Sequence, residues 1–219
     1  ILTSDKVIKY DYLIVAPGLQ LNFNKIKGLD NELGKNGICS IYTLESAKKT
    51  WEMFQNFSGG TAIFTFPNTP VKCGGAGQKI MYLFDSYIRK KGLRNISEII
   101  YTSPGNKIFG IEGYRQTIEK VVDKKGITTR FNHTLIEIRP DKKEAVFLLK
   151  KKKEVNGSFE FEEVEEVIKY DLLHVVPPMS APDFIRKSPL AYNEGPNKGW
   201  LRVNKFTLQH LDYKNIFGL

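Results

Sequence analysis

The sequence predicts an α/β fold built on a doubly wound parallel sheet, with an antiparallel β-meander in its later part. Short β-branched or aromatic runs alternate with amphipathic helical patterns between residues 60 and 131, which is the order of a parallel sheet. Three segments between residues 134 and 168 then alternate apolar and polar side chains, as antiparallel strands do.

The predicted elements before this core are one strand and one helix. The strand is Tyr10–Ala16, and it stops at Pro17–Gly18. A polar connection follows to about residue 40. A helix is predicted over Glu45–Phe54, with Thr43 as its cap. Its expected inward side chains are Ala47, Trp51 and Phe54.

The core itself is predicted as strand, helix, strand, helix, strand. The strands are Thr61–Phe66, Glu98–Tyr101 and Ile127–Phe131. The first helix follows residue 75 and ends at Gly92, and the second spans Glu112–Lys125. Their expected inward faces are Ile80, Leu83, Phe84, Tyr87 and Ile88 in the first helix, and Tyr114, Ile118, Val121 and Val122 in the second.

The later strands are predicted to form the meander and then to return to the sheet. The meander consists of Thr134–Ile138, Glu144–Leu149 and Phe159–Ile168, with turns at Pro140–Asp141 and Asn156–Gly157. The apolar run Leu172–Val176 is expected to rejoin the parallel sheet. Two short strands are predicted in the tail.

Composition is that of a soluble globular protein, with 41% hydrophobic and 26% charged residues among 219. No apolar run is long enough to span a bilayer. The chain starts at Ile1 without a methionine, so we expect an excerpt of a longer polypeptide. The net charge is +9, concentrated in Lys150–Lys153 and Arg89–Lys91. No interleaved aromatics accompany these runs, so we expect solvated faces rather than a nucleic-acid site, with attraction to anionic lipids or acidic substrates left open.

Cys73 is the candidate reactive residue. It stands where a strand gives way to a glycine-bordered helix start, and Lys72 precedes it. Unpaired amides, the helix dipole and the lysine all favour a thiolate there. The alternative is a small residue that merely fits a turn. Cys39 lies in an apolar setting that favours a buried thiol, although a redox pair with Cys73 stays open.

Other chemistries have weaker support. Gly74, Gly75 and Gly77 do not match the Gly-x-Gly-x-x-Gly spacing of a Rossmann nucleotide site, and no carboxylate follows the second strand, so we predict no NAD(P)H binding. The three histidines are scattered without metal-site spacing. His174, in an apolar strand, is expected to be a hydrogen-bonded core histidine.

The segment Phe64–Leu83, with Val-Lys-Cys-Gly-Gly-Ala-Gly at its centre, resembles the cysteine segment of the eukaryotic-type sulfide:quinone oxidoreductases. These are flavoproteins of the FAD-dependent pyridine nucleotide-disulfide oxidoreductase superfamily. Tyr10–Gly18 and Leu173–Asp183 resemble flavin-side motifs, and Tyr213–Gly218 resembles the lead into a Gly-Asp-Cys element. The flavin fingerprint and that second cysteine are not in this chain.

The resemblance implies a domain plan and a set of site residues. Residues 1–44 and 179–219 are expected to be strips of an FAD domain, and residues 45–178 an NAD-like central domain bearing Cys73. It further implies that two elements of the flavin domain touch the cofactor. These are expected to supply Pro17, Gly18, Pro178, Met179 and Asp183.

The resemblance also implies an activity. The intact enzyme would oxidise hydrosulfide through a persulfide, assigned here to Cys73, and pass electrons through FAD to a membrane quinone, with a thiol or sulfite removing the sulfur. A peripheral place on the mitochondrial inner membrane follows. We expect this excerpt alone to be colourless and inactive. The alternatives are an NAD(P)H:quinone or ferredoxin-type reductase and a non-catalytic domain with a structural cysteine.

Overall fold

The computed structural model describes residues 1–155 and 158–219. The predicted turn at Asn156–Gly157 therefore lies outside the described residues. The strands are β1 (Leu13–Val15), β2 (Gln20–Leu21), β3 (Ile38–Cys39), β4 (Gly60–Thr65), β5 (Ser97–Ser103), β6 (Thr128–Phe131), β7 (His133–Arg139), β8 (Glu144–Val155), β9 (Ser158–Lys169), β10 (Leu172–His174), β11 (Met179–Ser180) and β12 (Ile216–Gly218). The helices are α1 (Leu44–Asn56), α2 (Ala76–Lys90), α3 (Glu112–Lys125) and α4 (Asp183–Arg186).

The chain divides into two compact units, one formed by residues 1–21 and 179–219 and the other by residues 22–178. Residues 22–44 belong to the second unit, where β3 pairs in parallel with β10. The sequence missed β3, which has only two residues.

The second unit is built on a five-stranded parallel sheet with the strand order β3-β10-β4-β5-β6. The predicted α/β class, the strand–helix alternation and the return of β10 to the sheet are confirmed. Side chains alternate between the two faces of each strand. Phe64 and Tyr101 face a core shared with α1, α2 and α3, whereas Ile63 and Ile100 face a core shared with β7 and β8. One face thus carries helices, and the antiparallel β7-β8-β9 meander covers the other.

Local signals set the ends of the helices. Thr43 caps α1 in a reciprocal capping box with Ser46. Gly126, at a φ of 66°, ends α3 in the left-handed conformation that glycine adopts without strain. The inward faces differ from the expected ones, since Trp51, Leu83 and Tyr114 are at least half exposed. α1 buries Ser46, Thr50 and Phe54, and α2 buries Gly77, Gln78, Met81, Phe84, Asp85 and Ile88, so Phe54, Phe84 and Ile88 do face inward as expected.

The basic run Lys150–Lys153 is part of the meander and faces acidic residues. The antiparallel register of β8 and β9 places Lys150 opposite Glu163 and Lys153 opposite Glu160. The Lys150 ammonium lies 3.4 Å from the Glu163 carboxylate. Opposite charges across strands stabilise the pairing modestly, and this accounts for the run without any external partner.

The first unit contains two small pairings of its own. β1 pairs in parallel with β12, and β2 pairs antiparallel with β11. Its apolar core is formed by Val15, Ala181, Ile185 and Ile216. Residues near the start and the end of the chain therefore form one unit.

Candidate functional site

Cys73 lies between β4 and α2, at the edge of the sheet where the parallel strands end. Its side chain is exposed. Its carbonyl accepts a hydrogen bond from the N–H of Ala76, the first residue of α2, at 3.0 Å. The helix cap is Gly75, so Cys73 precedes the cap by two residues. The thiol is therefore accessible to a reactant at the ligand-binding edge of this kind of sheet.

The backbone of Cys73 is in the left-handed region, with a φ of 57°. A residue with a side chain pays about 1–2 kcal/mol for this conformation. Its neighbours Gly74 and Gly75 have ordinary φ values and space for a side-chain carbon. The strain therefore falls on the cysteine and not on the flanking glycines. Non-glycine residues with a strained backbone conformation are found often at functional sites.

Gly77 is the glycine of this segment that packing requires. A Cβ added there would lie 3.1 Å from Val176 Cγ2. Gly77 therefore allows the first turn of α2 to lie close to the end of the central strands, and this helps to fix where the Cys73 loop leaves the sheet.

A cavity of about 580 Å³ opens beside the Cys73 loop, between the ends of β4 and β5. Its polar lining comes from Asn68, Ser103, Asn106 and Lys107, and its aromatic lining from Phe66, Tyr101 and Phe109. Gly74 contributes to the wall. In open α/β sheets, ligands bind in this crevice.

Three tyrosines, Tyr42, Tyr82 and Tyr101, are partly or fully buried in the second unit. The pKa of Tyr42 is raised to about 12, mainly by burial and to a smaller extent by the charge at Cys73. Burial also raises the pKa of Tyr101 to about 12; a hydrogen bond with Gln78 opposes this, and charges at Tyr82 and Tyr42 add to it. Across residues 1–155 and 158–219, the buried hydroxyls of Tyr42 and Tyr82 have no hydrogen-bond partner.

Cys39 is a buried free thiol, as the sequence predicts, and it is not bonded to Cys73. Burial raises its pKa to about 12, against a smaller opposing effect of the hydrogen bond with Thr50. A neutral thiol closed off from solvent is a poor nucleophile. Cys39 therefore serves as a packing residue of β3.

His174 lies in the centre of the sheet and is fully buried. Its ring stacks on Phe64 at 5.7 Å between centroids, and its Nε2 accepts the N–H of Ile41 at 3.3 Å. The prediction that His174 is a buried core residue is confirmed. Only one ring nitrogen is hydrogen-bonded, because Nδ1 has no partner in the described part of the chain.

The pKa of His174 makes stability depend on pH. Burial lowers that pKa to about 3, while the unfolded residue titrates near 6.5. Between these values the unfolded chain binds the extra proton, so stability falls as pH decreases below about 6.5. We expect a loss of about 2 kcal/mol at pH 5 relative to pH 8 from this residue. Urea unfolding of the protein and of His174→Gln at both pH values measures it. Equal losses in both proteins would contradict this assignment.

The flavin-side candidates Pro17 and Gly18 line a cavity of about 400 Å³ within the first unit. Ala181, Pro182, Trp200 and Leu201 complete most of its apolar wall. Gly18 has a φ of 72° and no atom near the place of a Cβ. The strand end predicted to face a cofactor therefore does border an open space.

The other three candidates occupy different settings. Met179 is buried and pairs with Leu21. Asp183 begins α4, and its N–H donates to Gln20 Oε1 at 3.0 Å. Pro178 belongs to the second unit, where its carbonyl accepts the N–H of Asn22 at 2.8 Å. The first unit thus brings Pro17, Gly18, Met179 and Asp183 into one compact body, and Cys73 belongs to the other.

Within the described ranges, no group of three or more His, Cys, Asp or Glu residues is arranged to hold a metal ion. The helices that the structure describes include none with the length and apolar character needed to cross a membrane.

Sequence reasoning missed the tyrosines. Tyr42 follows β3, a strand too short to be recognised from its pattern. Tyr82 and Tyr101 lie on a helix and a strand that were predicted. The sequence pattern there indicates only ordinary packing residues. The sequence did place Tyr42 just after a short apolar run. Cys73 was selected as a candidate because of the same kind of position, at the end of a strand.

No model of a known protein family matches the chain. Two curated relatives match it along its length. The mitochondrial sulfide:quinone oxidoreductase of Mus musculus is 45% identical over 217 residues, and that of Dictyostelium discoideum is 42% identical over 221 residues. These matches cover 99% and 100% of this chain but 45% and 46% of the relatives, so the chain spans about half the length of the curated relatives it matches.

Two solved structures are similar as well. A chain in the cryo-EM structure of the Tetrahymena thermophila mitochondrial ATP synthase has a TM-score of 0.73 and 25% identity, with 96% of this chain and 49% of that chain covered. The X-ray structure of the sulfide:quinone oxidoreductase of Aquifex aeolicus has a TM-score of 0.72 and 22% identity, with 97% and 46% covered. The fold class and the resemblance seen in the sequence are both confirmed.

Proposed function

We propose, from its similarity along the whole chain to mitochondrial sulfide:quinone oxidoreductases, that this chain is the central part of an enzyme that oxidises sulfide and reduces a membrane quinone. The observation that carries the proposal is Cys73, an exposed thiol in a strained backbone at the ligand-binding edge of the sheet. Its sulfur is the proposed site of persulfide formation.

The step at Cys73 is a thiol–disulfide exchange. In the oxidised enzyme, the Cys73 sulfur is bonded to a partner sulfur. Hydrosulfide attacks the Cys73 sulfur, a new S–S bond forms there, and the partner leaves as a thiolate. Cys39 is buried within β3 of the sheet, so the partner is proposed to come from outside these 219 residues, as the resemblance to a Gly-Asp-Cys element implies. Lys72, adjacent in the chain, adds positive charge that attracts the anion.

The first unit has features that fit a flavin. The cavity beside Pro17 and Gly18 is lined mostly by apolar residues, among them Pro182 and Trp200, whose rings suit the edge of a planar ring system. Met179 and Asp183 of the same unit, and separately Pro178, are proposed as further flavin contacts because of the resemblance to the flavin-side motif. When bound, FAD supplies the two-electron acceptor through which electrons reach the quinone.

The remaining partners follow from this chemistry. A persulfide on Cys73 has to be discharged before the next turnover, and a small thiol or sulfite is the proposed sulfur acceptor. We also propose a mitochondrial location, peripheral to the inner membrane, where the quinone is available. The names of the relatives support the mitochondrial part of this proposal.

The test is the electron donor used by the full-length protein. We expect purified protein with bound flavin to reduce a soluble quinone when sulfide is added, in the presence of sulfite. NADH in place of sulfide should give no reduction, because the glycine spacing beside Cys73 does not match a nucleotide site. Quinone reduction driven by NADH and not by sulfide would overturn the proposal and favour the reductase alternative.

A second candidate is a non-catalytic role. The observation that favours it is the similar chain found in a structure of the Tetrahymena thermophila mitochondrial ATP synthase. In that case Cys73 is a structural residue, and the protein should co-purify with a large assembly and show no sulfide-dependent activity with any quinone.

A further inference from the structure

A buried glutamine joins the helix that follows Cys73 to the loop that follows β5. Gln78 lies in the first turn of α2, and only 4% of it is exposed. Its Nε2 donates a hydrogen bond to the carbonyl of Ile108 at 2.8 Å. Ile108 belongs to the connection between β5 and α3, residues 104–111, which we call the β5–α3 loop. The glutamine therefore ties together two segments that are 30 residues apart in the chain.

The β5–α3 loop lines the crevice of about 580 Å³ beside Cys73. Residues 103–110 line it together with residues 66–70 and Gly74. Gly74 is bonded to Cys73, so the sulfur lies within about 7 Å of the Gly74 Cα. A cavity of this size is large enough for a small organic molecule. A reactant held in the crevice is therefore within reach of the reactive sulfur.

Other contacts hold the β5–α3 loop at places away from α2. The Gly105 carbonyl accepts the N–H of Asn132 at 3.0 Å, just after the end of β6. The Phe109 ring packs edge-on against Tyr114 of α3, with 6.4 Å between the centroids. Neither of these contacts involves α2. The bond from Gln78 therefore supplies a directional tie between the loop and the beginning of α2.

We propose that Gln78 is a positioning residue for reactions at Cys73, because it holds the β5–α3 loop as the wall of the crevice through which an organic thiol or disulfide reaches the sulfur. The inference rests on the proposed role of Cys73 and extends it to the residue that shapes access. Phe66 and Phe109 give the crevice aromatic surfaces, which suit the apolar part of an organic reactant. Without the bond, the Ile108 carbonyl loses its buried donor, and this favours a displaced loop in which water satisfies it.

The test compares two reagents at Cys73 in the reduced full-length protein and in its Gln78→Met variant. Dithiodipyridine is a flat aromatic disulfide, whereas iodoacetamide is small and gains nothing from the crevice. Both react with the thiolate, so the ratio of their rates does not depend on how much of the thiol is ionised. Mass spectrometry of the peptide that contains Cys73 follows both reactions. We expect the disulfide-to-iodoacetamide ratio to fall about five- to tenfold in the variant, the effect of one lost hydrogen bond.

Gln116→Met is the matched control, because Gln116 is exposed on α3 and donates to Glu112 at 3.3 Å. Its rate ratio should equal that of the unmodified protein. Gln78→Asn keeps an amide that is too short to reach the carbonyl, so it serves where the methionine variant does not fold, and the same fall is expected.

An unchanged or increased ratio in the folded Gln78 variants overturns the proposal. Equal slowing with both reagents overturns it as well, since that would indicate a general effect on the thiol and not on the crevice. The readout needs neither flavin nor sulfide. A lowered ratio in a protein that does not oxidise sulfide would therefore contradict the proposed function and leave the role of Gln78 supported.

Discussion

Replacing Cys73 with serine is expected to lower sulfide-dependent quinone reduction in the full-length protein by a factor on the order of a thousand or more. A serine hydroxyl cannot form the sulfur–sulfur bond on which the proposed step depends. The side chain is exposed, so the change leaves no cavity in the core. Flavin absorbance should be retained, and stopped-flow reduction of a quinone analogue by sulfide measures the loss.

Two controls separate chemistry from folding. Cys39→Ala removes the other thiol, which is buried, and should keep the activity per folded molecule. Cys73→Gly should be as inactive as the serine variant but no less stable, and more stable by about 0 to 1 kcal/mol, since glycine relieves the positive φ of 57°. Normal turnover in either Cys73 variant would remove the basis of the proposed function.

Asp85→Ala is expected to destabilise the protein by about 3 kcal/mol. The Asp85 side chain is fully buried in α2 and faces three cations. Arg89 Nε lies 3.0 Å from it, Arg94 Nε 3.1 Å and Lys125 Nζ 2.6 Å. Both arginines also donate to the Lys125 carbonyl at the end of α3. Removal of the carboxylate leaves these charges without their common partner and releases α2 from α3.

Urea unfolding measures this loss, with Glu45→Ala as the control. Glu45 pairs with Lys49 on the exposed side of α1, and its removal should leave the unfolding midpoint in place. A midpoint for Asp85→Ala equal to that of the control would contradict the assigned role of the cluster.

The same carboxylate also responds to pH. Burial alone would raise the pKa of Asp85, but hydrogen bonds from Arg89 and Lys125 and their charges outweigh it and lower the pKa. Stability from a lowered carboxyl pKa is complete above the unfolded value, about 3.9, and is lost as pH falls through the folded value. The difference between the protein and Asp85→Asn should therefore be constant from pH 5 to 8 and shrink below about pH 4.

Much of the fold follows from local patterns. The alternation of apolar strands with helical periodicity predicted the β4–β6 core, and Gly126 marked the end of α3. The buried face of each helix was harder to predict, because the stripe of apolar residues on a helix is wider than the part of it that packs against the sheet. Trp51 illustrates this: half of it is exposed, and the rest packs edge-on against Tyr87 at 5.0 Å.

The basic runs show why charge by itself was ambiguous. In the sequence, Lys150–Lys153 and Arg89–Lys91 could attract an anionic partner. In the structure, members of both runs are paired within the chain, with Glu163 across the meander and with buried Asp85. Pairing of this kind depends on strand register and helix packing, which no single run of residues reveals.

The sequence alone determined the order of strands and helices and the place of Cys73 between β4 and α2, because these depend on residues near one another in the chain. The tertiary structure decided that β3 joins β10 and that the cysteine itself adopts the left-handed backbone. The pairing of β3 with β10 is a contact between segments 30 or more residues apart, about which local periodicity carries no information.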